Sequence, residues 1–268
     1  MDAQWADDVH HALHVRLTGE RQGYYEDFAA PGAFTKAYGR VFLHDGILST
    51  FRGRTWGAPV PPGTDPRRFV VFGFDHDQVG NRATGDRPSA SLDDDALAAS
   101  AALVLLSPYT PMLFMGEEWG TSRPFQFFTD HTDPHLAATV SRGRREEFEG
   151  FGWGAGEIPG PQDPGTFARS HLDWDELTQK DHAHVLAWYR SLVSLRRRLG
   201  WGRRQQWPCV EDALDVITVT YEDVVVVANL SGDTRPAPAA RQVLLSWLPV
   251  AQGAPGTLAP GQTLVATR

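Results

Sequence analysis

The stretch RRFVVFGFDHDQVGNRATGDRP, Arg67 to Pro88, holds the residues best suited to chemistry. Its apolar run Phe69–Phe74 passes directly into Asp75-His76-Asp77-Gln78. Two carboxylates and an imidazole at the end of a buried strand can grip hydroxyl groups, move a proton or stabilise a developing positive charge. A second apolar run, in PMLFMGEEWG, breaks into Glu117 and Glu118 in the same way. A plainer role is open to each set, because loop acids commonly cap the turn that follows them.

Aromatic residues stand near these acids. Trp5, Tyr24, Tyr25, Trp56, Trp119 and Trp153 lie in polar, Gly-rich or Pro-rich segments where burial is hard to arrange. Aromatic walls with a few polar groups make ligand pockets, and a sugar offers both C–H faces and hydroxyl edges to such a pocket. The segment DDVHHALH places Asp7, His10 or His11, and His14 on one helical face at a spacing that suits zinc, but it lacks the full HExxH pattern. Solvated or sugar-contacting histidines are the simpler expectation, and no metal or cofactor is called for. Cys209 has no His/Asp motif near it and reads as a buried or half-buried thiol. Arg142-Gly143-Arg144-Arg145 reads as a solvated face.

The elements that must position these residues alternate. DAQW reads as a short strand, and DDVHHALHVRLTG as a helix with Val9, Leu13 and Leu17 on one face and Gly19 as its stop. GRTWGAPVPPGTDP is a loop by its breakers. Phe69–Phe74 is a strand covered on both faces, and Ser91 is placed to cap a helix whose first turn holds Asp93, Asp94 and Asp95. Strand, helix, strand is the rhythm of a parallel sheet. Residues 120–175 suggest long loops. Thr178 and Asp181 stand in capping-box spacing before a helix carrying Val185, Trp188, Leu192, Leu195 and Leu199, which Gly200 stops. Only strand signals follow: LDVITVTYE, DVVVVANLS, RQVLLSW and QTLVATR.

The chain has 268 residues, enough for one large domain or a medium one with a small companion. A net charge of −8 argues against a nucleic-acid surface. No apolar stretch reaches the roughly 20 residues needed to cross a bilayer, so no membrane partner is expected. The first residues are acidic and His-rich, unlike a signal peptide, and a single cysteine fits a reducing compartment. A cytoplasmic protein is the expectation.

FDHDQVGNRATGDR, ALVLLSPYTPMLFMGEEWG and PFQFFTDH, together with the opening DAQWADDVHHALHVRLTGERQGYY and the closing LAPGQTLVAT, resemble the malto-oligosyltrehalose trehalohydrolases, glycoside hydrolases of the α-amylase clan. The resemblance covers essentially the whole chain. It implies an α/β fold: a partial (β/α)8 barrel of about the last three β/α units over residues 1–202, then a small antiparallel β domain over 203–268. It implies hydrolysis of the α-1,4 bond next to the terminal trehalose of a malto-oligosyltrehalose or maltodextrin-type substrate, releasing trehalose. Asp77 matches the carboxylate that stabilises the transition state, and His76 the adjacent hydroxyl-binding histidine. Asp75, Gln78, Trp5, Tyr25, Glu117 and Trp119 are the remaining substrate-binding candidates. Asp75 stands where the family usually has asparagine, which puts a second charge beside Asp77. The family's nucleophile and general acid lie upstream of DAQW, so the resemblance implies a truncated chain, inactive alone, whose partner is a missing N-terminal half. A non-catalytic carbohydrate- or partner-binding remnant, or another clan enzyme such as a glucan branching enzyme, is the alternative.

Overall fold

A computed structural model of the chain describes residues 2–149, 158–250 and 256–268. The first part runs β1 (Gln4–Trp5), α1 (Asp7–Thr18), α2 (Ala33–Arg40), β2 (Ile47–Ser49), β3 (Arg54–Trp56), β4 (Phe69–Val71), α3 (His76–Gly80), α4 (Asp94–Leu105) and β5 (Thr110–Pro111). Then come α5 (Pro134–Glu149), α6 (Pro164–Arg169) and α7 (Lys180–Arg198). The last part holds β6 (Cys209–Ala213), β7 (Val216–Thr220), β8 (Val224–Asn229), β9 (Arg235–Pro236), β10 (Gln242–Ser246), β11 (Thr257–Leu258) and β12 (Thr263–Thr267).

Strands β1, β4 and β5 pair in parallel in that order, with Gln4 opposite Phe69 and Val70 opposite Thr110. Helices occupy both crossovers, as parallel pairing requires. In α1 the acids Asp7 and Asp8 sit in the first turn, where the helix dipole favours them. Gly19 ends it at φ 74°, its N–H donating to Val15 O at 2.9 Å. Val9 and Leu13 are buried beneath it.

Some local expectations fail. Asp93, not Ser91, caps α4, accepting from Ala96 N at 2.9 Å. α7 starts after Gln179 without a side-chain cap, and the Thr178 hydroxyl donates back to Asp175 O. The expected loop GRTWGAPVPPGTDP, residues 53–66, opens with β3 of the β2–β3 hairpin, and 120–175 contains α5 and α6. Arg144 is buried on α5, where its guanidinium donates to Gly80 O and Arg82 O and lies over the Phe127 ring, so it ties this helix to the end of α3 and does not face solvent. Cys209 is exposed at the start of β6.

The last part is a five-stranded antiparallel sheet in the order β10-β12-β8-β7-β6, with β9 and β11 paired beside it. β8 lies at its centre and is buried throughout, which its unbroken valine run anticipates. One hydrophobic core joins this sheet to the helices: Ile217, Val219, Val226 and Trp247 belong to the same cluster as Leu103, Val104 and Leu192. Arg196 reaches from α7 to donate to Leu105 O, Ser107 O and Tyr109 O, carbonyls left open where α4 ends.

Candidate active site

The loops after the parallel strands gather the polar residues. After β4 the chain turns at Asp75, whose backbone is extended and whose carboxylate accepts from Asp77 N at 2.8 Å. Gln78 answers by accepting from Asp75 N at 2.9 Å, so α3 starts with a complete capping box. Asp75 and Gln78 are therefore spent on the backbone, and Asp75 is buried. Burial raises the Asp75 carboxyl above the ordinary aspartate range, against the opposing pull of the Asp77 N–H.

The same turn pushes His76 and Asp77 outward. Their side chains are 54% and 68% exposed, with His76 Nε2 3.4 Å from Asp77 Oδ1. Trp5, at the end of β1, is 48% exposed and meets His76 edge-on at 6.5 Å between ring centroids. Asp7 follows at the start of α1. Burial raises its carboxyl, and the charges of Asp75, Asp8 and Asp77 raise it further, which places it in the same electrostatic neighbourhood. Trp5, Asp7, His76 and Asp77 form one open surface at the strand ends, with a carboxylate and an imidazole free to meet hydroxyl groups beside an aromatic face.

Three candidates face inward and do not share this surface. Tyr25 is buried, its ring stacked on His14 at 4.6 Å. Trp119 is buried, its Nε1 donating to Glu176 at 3.0 Å and its ring beside Trp174. Glu117 is buried, accepting from Phe114 N at 2.8 Å and from the Tyr189 hydroxyl at 3.1 Å. Burial pushes its carboxyl up to about 8. Glu117 and Trp119 hold the loop after β5 in shape, and Tyr25 packs against α1; the capping alternative fits Glu117. Trp153 lies outside the described residues.

The histidines of α1 are also committed. His10 Nδ1 donates to Gly73 O at 2.5 Å, and His14 Nε2 lies 2.9 Å from Glu20. Among the described residues no group of His, Cys, Asp and Glu is arranged to hold a metal. Glu20 accepts from Arg82, and Arg82 donates to Asp86, which also accepts from Thr84. This chain of ion pairs fixes the loop after α3 to the end of α1. Its members Arg82, Thr84 and Asp86 lie in the NRATGD segment, and the close spacing of Arg, Thr and Asp was the signal available for it. Among the described residues no helix is long and apolar enough to cross a membrane.

The fold has counterparts among solved structures. The chain matches a Salmonella typhimurium protein, described as a candidate alpha amylase, with TM-score 0.87 and 36% identity, over 99% of this chain and 46% of that one. An alpha-amylase from H. orenii matches in fold alone, with TM-score 0.56 and 14% identity, over 100% of this chain and 49% of that one. The architecture is thus that of part of an α-amylase-type enzyme, with a β-sheet domain. No protein-family model matches the sequence. Malto-oligosyltrehalose trehalohydrolase of Arthrobacter ramosus is 56% identical over 199 residues, covering 74% of this chain and 35% of its own. That of Brevibacterium helvolum is 47% identical over 235 residues, covering 85% and 40%, and that of Mycobacterium tuberculosis is 41% identical over 257 residues, covering 91% and 43%. The chain belongs to the malto-oligosyltrehalose trehalohydrolases, whose C-terminal portion it matches. It spans 35–43% of the length of these relatives.

Proposed function

We propose that the chain forms part of a glycoside hydrolase that cleaves the α-1,4 bond next to the terminal trehalose of a malto-oligosyltrehalose, releasing trehalose. The observation that carries this reading is the pairing of trehalohydrolase sequence similarity with an exposed Asp77 and His76 at the end of β4. Asp77 supplies fixed negative charge to an oxocarbenium-like transition state, and His76 donates to a sugar hydroxyl. Strands β1, β4 and β5 are the last three of eight barrel strands, residues 1–202 the barrel part and 203–268 the β domain.

Retaining hydrolysis requires a nucleophile and a general acid about 5–5.5 Å apart. In this reading both lie outside the 268 residues, and a preceding segment pairs with the free edge of β1 and supplies them. The test is trehalose release from malto-oligosyltrehalose by the chain alone and with the N-terminal part of the Arthrobacter ramosus relative supplied in trans. No release alone, and release on complementation that Asp77→Asn abolishes, is the expected result. Release by the chain alone, lost on Asp77→Asn, would show that its own carboxylates suffice and would overturn the division of labour. Complemented release that survives Asp77→Asn would overturn the role of Asp77.

A further inference from the structure

Asp77 owes its position to the backbone beneath it. Its carboxylate meets the His76 imidazole and forms no other side-chain hydrogen bond or ion pair among the described residues. It sits in the first turn of α3, a helix of five residues. A helix that short does not sustain itself, because the cost of nucleating a turn exceeds what its few hydrogen bonds return. Both of its ends must be held by other parts of the chain. The capping box of Asp75 and Gln78 holds the first.

The second end is held from far away in sequence. Asp77 O accepts from Asn81 N at 2.9 Å, which closes the turn. The residues on either side of Asn81 present their carbonyls to α5: Gly80 O and Arg82 O both accept from Arg144 Nη2, the second at 3.0 Å. Arg144 is buried, with its guanidinium 4.9 Å from the centre of the Phe127 ring and 4.5 Å from that of Phe148. Two aromatic faces and two carbonyls fix a planar guanidinium, whereas a lysine ammonium is a point charge that matches only the carbonyls. Phe148 adds to the contact by packing with Ala83 and Ile158. The Arg82 side chain is tied to Glu20 and Asp86, so the segment after α3 is pinned from α1 on one side and from α5 on the other.

We propose that Arg144 is a positioning residue for Asp77. By capping the carbonyls at the end of α3 it fixes the turn that carries the carboxylate, and so fixes where that charge stands against the sugar. This deepens the functional reading above and rests on it. A charge that stabilises a transition state must stand in place before the reaction, and a misplacement of about 1 Å can cost about 100-fold in rate. The contribution of Arg144 therefore falls on turnover and not on substrate binding.

Two variants of the full chain test this: Arg144→Met, which keeps the apolar stem and removes the donors, and Arg144→Lys, which keeps the charge. Trehalose release is measured with the N-terminal part of the Arthrobacter ramosus relative supplied in trans, at a temperature where each variant is folded. Arg144→Met should lower kcat by about 10–100-fold and move KM by less than about twofold, and Arg144→Lys should recover part of the loss. Hydrogen exchange over residues 75–83 of the full chain should quicken in Arg144→Met. An unchanged kcat, or a rise in KM alone, would overturn the proposal however far the melting temperature falls. If Arg144→Met does not fold, Arg144→Lys carries the test: a reduced kcat with KM unmoved upholds the proposal, and a kcat equal to the parent's overturns it. If the complemented parent releases no trehalose, the functional reading fails and exchange decides. An unchanged rate over 75–83 then overturns the positioning, and a faster one upholds it.

Discussion

Asp75 and Gln78 hold each other's backbone: Gln78 Oε1 accepts from Asp75 N at 2.9 Å, while the Asp75 carboxylate accepts from Asp77 N at 2.8 Å. The exchange engages a side-chain oxygen of each residue and turns His76 and Asp77, which lie between them in the chain, toward solvent. The carboxylate next to Asp77 is thus a structural cap, and its charge is a cost.

That cost sets the first prediction. Burial raises the Asp75 carboxyl, so its contribution to stability is full below its ordinary value of 3.8 and declines as pH climbs through the raised value. Asn caps a helix about as well as Asp and carries no charge. Asp75→Asn should therefore stabilise the chain by up to about 1 kcal/mol at pH 7 and by nothing near pH 3. Asp75→Ala, which removes the cap, should cost about 1 kcal/mol. Thermal melts of the two variants at the two pH values decide it.

Asp95 joins the β domain to the helices. Trp247 Nε1 donates to Asp95 Oδ1 at 2.6 Å, the indole stacks on His184 at 4.0 Å, and the Asp95 carboxylate fills the space where a side chain at Gly261 would begin. Gly261 also holds φ +71°, a region that L residues enter at a cost. Gly261→Ala should destabilise the chain by about 2 kcal/mol or more. In an Asp95→Ala background the penalty should shrink toward, but not reach, the backbone strain of about 1 kcal/mol, because the Cβ at position 95 still lies 2.8 Å from the added methyl. Urea unfolding across this double-mutant cycle reads the coupling; equal penalties in both backgrounds would show that Asp95 does not obstruct the position.

The parts of this architecture written in short-range pattern were legible in the sequence. The apolar run before Asp75 and the valines of β8 announce strands, and Asp7, Asp8 and Gly19 bracket α1. Capping residues were harder, because Ser91 and Asp93 are both competent and only the start of α4 chooses between them. The hairpin of β2 and β3 was hidden, since three-residue strands in a Gly- and Pro-rich stretch leave no periodicity. Exposure was the least legible property. Trp5 ends a short strand and Trp119 follows one, yet the first faces solvent and the second lies under Trp174, 55 residues later in sequence, with its Nε1 on Glu176. Glu117 is buried by Tyr189, 72 residues away.

Glu176 escaped sequence reading entirely and organises the loop after β5. Its carboxylate accepts from Trp119 Nε1 at 3.0 Å, Thr121 Oγ1 at 2.6 Å and Ser122 N at 3.1 Å, and from the Ser122 hydroxyl. Burial alone would raise it, but the hydrogen bonds from Ser122, Thr121 and Trp119 outweigh that and hold it at about 2. Its contribution is thus present above its ordinary value of 4.5 and lost as pH falls toward about 2. Glu176→Ala should cost about 3 kcal/mol at pH 7, because it strands the buried donors of Trp119 and Thr121 and releases the two of Ser122, and much less near pH 2. A difference between parent and variant that persists undiminished into acid would refute the charged role.

Glu117 should behave in the opposite sense. It lies on the same loop, but burial without enough donors pushes its carboxyl up to about 8. The folded state therefore keeps its proton where the unfolded chain, at an ordinary 4.5, has lost it. Stability from this group is full below 4.5 and declines as pH rises toward 8. Glu117→Gln keeps the shape and removes the titration; its amide oxygen can still accept from Phe114 N, and the Tyr189 hydroxyl can turn to accept from the amide. The variant should match the parent near pH 4 and exceed it by about 1–3 kcal/mol at pH 8. Unfolding free energies measured across that interval test the sign directly. A parent that falls behind Glu117→Gln with rising pH would place Glu117 as a buried acid kept neutral by the loop, whereas a constant difference would mean that the charge of nearby Arg87 neutralises it at every pH.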